Sequence, residues 1–129
     1  MLSSFAISPT LSASDMTRAR DFYENTLGFS PTWLSEGGES VFYESGGVAF
    51  EVHFTPAAGT NEATAAQWHV DNLRLIVSEL RSKGVVFEDY DFGAEMRTVD
   101  GILSLADGTL GAWFKDTEGN ILGVFQTAG

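Results

Sequence analysis

The chain contains two histidines, His53 and His69, each in a strand-like run with other polar residues. In VAFEVHF, residues 48–54, strand alternation sets Glu51 and His53 on one face. In the run that ends at His69, Ala65, Gln67 and His69 share a face. A carboxylate and an imidazole two residues apart can hold a divalent cation, move a proton on a polarised carbonyl substrate, or line a polar cavity. Ser8, Thr10 and Ser12 alternate in the same way. A closed apolar core disfavours three hydroxyls on one face, so they meet either a ligand and ordered water or bulk solvent. Trp33, Tyr43, Tyr90 and Trp113 are candidates to wall a groove for a planar or apolar ligand, with core packing as the competing role. Trp68 alternates onto the helix-packing side. Arg97 is the only cation in the long acidic segment 88–100, a candidate lid. It suits an anion clamp or a surface ion pair.

Other chemistries are excluded by what is missing. Without cysteine there is no disulfide framework, thiolate nucleophile, iron–sulfur ligation or cysteine-type zinc finger. No glycine-rich phosphate loop, nucleophile elbow or Ser-His-Asp order stands out. Seven basic against eighteen acidic residues give a net charge of −11. Nucleic acid needs clustered Lys and Arg, and anionic membranes repel such a chain. A cationic small ligand is compatible with it. No apolar run reaches the roughly 18 residues of a membrane helix. The first residues lack a basic stretch followed by a long apolar one, so the expected location is the cytoplasm. At 129 residues and 43% hydrophobic, the chain suits one domain with a real core.

The elements that position these residues are duplicated. Asp15, Arg18 and Gly28 recur as Asp71, Arg74 and Gly84, with one offset of 56 residues. Asp15 and Asp71 are predicted helix N-caps, and Gly28 and Gly84 the left-handed residues that end the helices. Met16, Ala19, Tyr23 and Leu27 fall on one helical face, as do Leu73, Ile76, Val77 and Leu80. Hairpin turns are predicted at Ser45-Gly46-Gly47, at Asp107-Gly108 and at Thr117–Asn120. Each half reads strand, helix, several strands, an α+β pattern.

The run Ser14-Asp15-Met16, Arg20-Asp21-Phe22-Tyr23 and Leu27-Gly28-Phe29 resembles the first-module signature of the vicinal oxygen chelate superfamily. That group includes glyoxalase I, extradiol dioxygenases, fosfomycin-resistance proteins and bleomycin-binding proteins. Val70–Leu73 through Gly84-Val85 resembles its second-module helix, and Phe114–Asn120 its last hairpin. The resemblance implies two βαβββ modules, about 5–55 and about 65–127 with a connector at 56–64, each curling a mixed sheet into a half-open cup. It also implies a homodimer and a ligand inside the cup.

Metal-dependent members hold a divalent cation with four side chains. The matching positions here are Ser8, Glu51, Ala65 and Gly123, and only Glu51 is a usual ligand. No cofactor is therefore expected, the alternative being a displaced divalent site of Glu51, His53 and His69. The expected function is the binding of a small organic molecule in the cup without the family metal. One alternative is a metal-dependent lyase, isomerase or dioxygenase using the displaced site. Another is a metal-free enzyme with His69 or Glu51 as general base.

Overall fold

Asp15 opens the first helix, α1 (Met16–Asp21), by accepting a hydrogen bond from the Arg18 N–H at 3.0 Å. The chain continues into one π-helical turn, Phe22–Thr26, in which the Leu27 N–H donates to the Phe22 carbonyl. Gly28, at φ +83°, ends it. The second helix, α2 (Leu73–Ser82), differs at its start. Its cap is Asn72, whose side chain accepts from the Leu75 N–H, so Asp71 lies outside the helix. Gly84, at φ +92°, closes this repeat. The cap-to-glycine span is thus one residue longer in the first half, and the wide π turn takes up that residue.

The computed structural model describes residues 1–94 and 96–128. Module 1 is a four-stranded sheet in the order β1-β4-β3-β2, from β1 (Thr10–Ala13), β2 (Trp33–Leu34), β3 (Ser40–Ser45) and β4 (Val48–Phe54). Module 2 is five-stranded in the order β5-β9-β8-β7-β6. Its strands are β5 (Thr64–His69), β6 (Thr98–Val99), β7 (Ile102–Ser104), β8 (Leu110–Lys115) and β9 (Ile121–Gln126). In each module the first strand runs parallel to the last, and the last pairs antiparallel with the strand before it. The architecture is α+β, two mixed sheets of the same plan, as predicted. Ser8 lies before β1 and is exposed, so only Thr10 and Ser12 of the three hydroxyls sit on the strand. No helix among the described residues is long and apolar enough to cross a membrane.

One apolar core joins the halves. Leu11, Ala13, Val41, Tyr43, Phe50 and Val52 enter it from the helix side of the first sheet, and Ala112, Phe114, Leu122 and Val124 from that of the second. Trp68 is sandwiched between Phe29 and Phe114, with near-parallel rings 6.3 and 6.2 Å away. The other face of each sheet, called concave below, looks away from this core.

A polar latch reinforces the seam. The turn between β8 and β9 sets the buried Glu118 over the start of α1, where its Oε1 accepts from the Ser14 and Asp15 N–H groups at 3.0 Å. Arg18 Nε donates to its Oε2 at 2.7 Å. Beside it, Tyr23 Oη donates to Asp116 Oδ2 at 2.6 Å. Burial by itself would raise the Glu118 carboxyl. The Arg18 guanidinium, the Asp15 N–H and the Thr117 hydroxyl outweigh that and hold it at about 2.

Candidate functional site

The concave face of module 1 is set by strand register. Across β1, β4, β3 and β2 one row reads Thr10, Glu51, Phe42, Trp33, and the next reads Ser12, His53, Ser40. Alternation thus collects hydroxyls, a carboxylate and an imidazole on one side, while Leu11, Val52 and Val41 between them point to the core. His53 Nδ1 lies 2.6 Å from Ser40 Oγ and 3.3 Å from Glu51 Oε2. Its Nε2 has no hydrogen-bond partner among the described residues. Trp33 and Phe42 meet edge to face, ring centres 5.6 Å apart, and Trp33 remains 55% exposed.

Tyr43 takes the competing role, core packing, and does not wall the groove. It is fully buried on the helix side, stacked on Tyr23, with its hydroxyl donating to Glu24 at 2.9 Å. Burial pushes that phenol up. The two-residue Gly46-Gly47 turn pairs Ser45 with Val48, which fixes Phe42 opposite Glu51 and turns Tyr43 the other way. The same counting marks Ser40 and Phe42 as site residues, although neither was a candidate from sequence.

The concave face of module 2 has the matching rows but different contents. They read Gln67, Gly123, Trp113 and His69, Phe125, Gly111. The Phe125 ring lies over the two glycines. A Cβ placed on Gly123 would come 2.7 Å from Phe125 Cε2 and 3.4 Å from Trp113 Nε1, and one on Gly111 would come 3.0 Å from Phe125 Cε1. The described part of segment 88–100 forms an arm tied down by backbone bonds. Glu88 N–H donates to the Trp113 carbonyl, Phe92 N–H to Met96 and Thr98 N–H to Tyr90. Asp89 Oδ1 accepts from Gly101 N–H and Thr98 Oγ1, which holds that carboxyl below its usual range. The arm lays Tyr90 and Phe92 on Trp113, ring centres 5.7 and 6.0 Å away. These three border a groove of about 430 Å³ with Lys115 at its edge. Arg97 does not reach this groove and lines a separate cavity with Arg74.

His69 stands apart from Glu51 and His53. It sits on β5, with Gln67 Nε2 3.3 Å away and Phe125 against its ring, and it borders two cavities of about 280 and 420 Å³ at the seam between modules. Among the described residues no three His, Asp or Glu side chains converge where a cation could sit. The displaced set of Glu51, His53 and His69 is therefore not assembled within one chain, because two members belong to one sheet and the third to the other. The four-ligand set also does not fit. Ser8 precedes its strand, Ala65 falls at a register shift of β5, and the space a donor at position 123 would need is filled by Phe125.

Two α+β modules joined along their helix sides, each offering an outward concave sheet, define the class of the protein. The family model of the glyoxalase/bleomycin resistance protein/dioxygenase superfamily matches residues 6–123, and the chain belongs to that superfamily. No curated protein matches it. Among solved structures, lactoylglutathione lyase from Agrobacterium tumefaciens superposes with a TM-score of 0.71 at 15% identity, over 97% of this chain and 95% of that one. A glyoxalase family protein from Enterococcus faecalis gives 0.70 at 16%, over 97% and 99%. The fosfomycin resistance protein FosX from Listeria monocytogenes, an E126Q mutant complexed with Mn(II) and dihydroxypropylphosphonic acid, gives 0.67 at 12%, over 94% and 88%. At these identities the likeness is one of fold.

Proposed function

We propose that the chain binds a small organic molecule on its concave faces without the superfamily's metal. The observation that carries this reading is the Phe125 ring packed over Gly123, where a metal ligand would have to stand. The polar row of module 1 offers Thr10, Ser12, Glu51 and His53 to a ligand with hydrogen-bond donors, and Trp33 and Phe42 offer ring faces to its apolar body. A net charge of −11 favours a cationic compound. Because the concave faces look outward from a shared core, a second copy would complete the cup. It would set the polar face of one chain against the Tyr90–Phe92–Trp113 groove of the other.

Thermal-shift screening of cationic and aromatic compounds tests this reading, since a ligand selective for the folded state raises the melting temperature. A stabilising compound is expected, with its effect lost in Glu51→Gln and in Trp33→Ala. Light scattering should give twice the chain mass. A panel with no stabilising compound would count against ligand binding, and a monomer at every concentration against the shared cup.

A second reading is favoured by the tether on His53. With Nδ1 held by Ser40 and Glu51, Nε2 is left to accept a proton from a bound substrate, the metal-free general-base alternative with His53 in the role expected of His69 or Glu51. Turnover of a carbonyl substrate that survives chelators and is lost in His53→Gln would support it.

A further inference from the structure

We propose that module 2 carries a second site, for a small phosphate-type oxyanion, between the first turn of α2 and the arm, on the helix side of β7. The chain has only seven basic residues. Arg18, Arg20, Arg81 and Lys115 each pair with a carboxylate within 4 Å, namely Glu118, Glu24, Asp100 and Glu88. Lys83 pairs with no carboxylate of the described residues, and neither do Arg74 and Arg97. Both arginines line one cavity of about 400 Å³, with Ser104 beside them and Val99 and Ile102 as its apolar wall.

Two guanidiniums on one cavity repel each other, and an anion between them reverses the sign of the interaction. The planar guanidinium fork matches phosphate oxygens in bidentate fashion, and a serine hydroxyl can donate a further hydrogen bond. The apolar wall admits a short organic ester as well as the free ion.

Backbone geometry holds the two arginines in place. Arg74 is the second residue of a capped ten-residue helix. Arg97 precedes Thr98, which is bonded on both sides of its residue, its N–H to Tyr90 and its Oγ1 to Asp89. Ala94, at φ +47°, turns the arm tip on the same cavity. This site shares no residue with the concave faces, so it stands or falls independently of the ligand proposed there.

Titration of the full chain with inorganic phosphate and with phenyl phosphate, against sodium chloride at matched ionic strength, is the test. Phosphate is expected to raise the melting temperature by a few degrees. Arg97→Gln and Arg74→Gln should each weaken binding roughly tenfold, because both side chains are exposed and their loss leaves the fold intact. Tighter binding of phenyl phosphate than of the free ion would assign the Val99–Ile102 wall to an organic ester, and equal binding would assign the site to the ion itself. An equal shift with chloride, or an unchanged one in the double arginine variant, would overturn the proposal. Glu95, next to this cavity in sequence, lies outside the described residues. Phosphate binding that appears only in Glu95→Gln would overturn it too, by showing that the chain's own carboxylate takes the place of the anion.

Discussion

Thr10, Glu51 and Phe42 of module 1 occupy the places that Gln67, Gly123 and Trp113 occupy in module 2. One row along, Ser12, His53 and Ser40 match His69, Phe125 and Gly111. On the helix sides the same strands stay apolar in both halves, with Val41, Tyr43, Phe50 and Val52 matched by Ala112, Phe114, Leu122 and Val124. The shared core constrains one face of each sheet and leaves the other free to diverge. Module 1 has used that freedom to keep polar groups there, with His53 exposed, Glu51 half-buried and Ser40 buried beneath them. Module 2 has filled its face with rings resting on glycines, and packed rings tolerate little added volume.

The sharpest way to break this comparison is to substitute the matched pair Gly123 and Glu51. Gly123→Leu must displace Phe125 and Trp113 and is expected to cost about 3 kcal/mol in urea unfolding. Glu51→Leu, at a half-buried position with no ring packed over it, should change stability by less than about 1 kcal/mol. Equal costs at the two positions would mean that the faces are not packed differently.

A smaller effect is expected at the latch, where module 2 grips module 1. The folded Glu118 carboxyl sits at about 2, against 4.5 as its ordinary value. A depressed acid stabilises the fold fully above its unfolded value, and that contribution fades as pH falls towards the folded one. Glu118→Gln should therefore cost about 2 kcal/mol at neutral pH and flatten the loss of stability between pH 5 and 2. A variant with the wild-type acid profile would show that the seam is held by apolar packing alone.

The smallest effect concerns the helix starts. Asn72→Ala should cost about 1 kcal/mol and Asp71→Ala close to nothing, whereas in module 1 the aspartate itself, Asp15, is the cap. Thermal denaturation of the two alanine variants, read side by side, would expose a reversed order.

The duplicated plan was legible because its signals are local. A cap, a helical stripe and a terminating glycine act within a few residues, so Asp15, Gly28 and Gly84 were found in place. Asp71 is not the cap because Asn72, beside it, is as good a cap, and the π turn after α1 absorbs the one-residue difference between the repeats. Half of the site was legible by alternation, which put Thr10, Ser12, Glu51 and His53 on one side. The roles of Tyr43, Ser40 and Phe42 depend on the register that the Gly46-Gly47 turn sets along β3, a cross-strand pairing that residue types alone do not carry.

Residue types at fixed spacing are enough to specify the two α+β modules, the position of the polar face and the poverty of the superfamily's metal positions. Packing in three dimensions adds that the Phe125 ring covers Gly123, that His69 is parted from His53, and that Arg74 and Arg97 share a cavity. Alternation sets Phe125 on the face of Gly123, but the rotamer that lays its ring over the glycine depends on the neighbouring Trp113 and Gly111 of β8. The spacing of His53 from His69 and of Arg74 from Arg97 depends on how the sheets, the helix and the arm pack, which neither alternation nor helical periodicity carries.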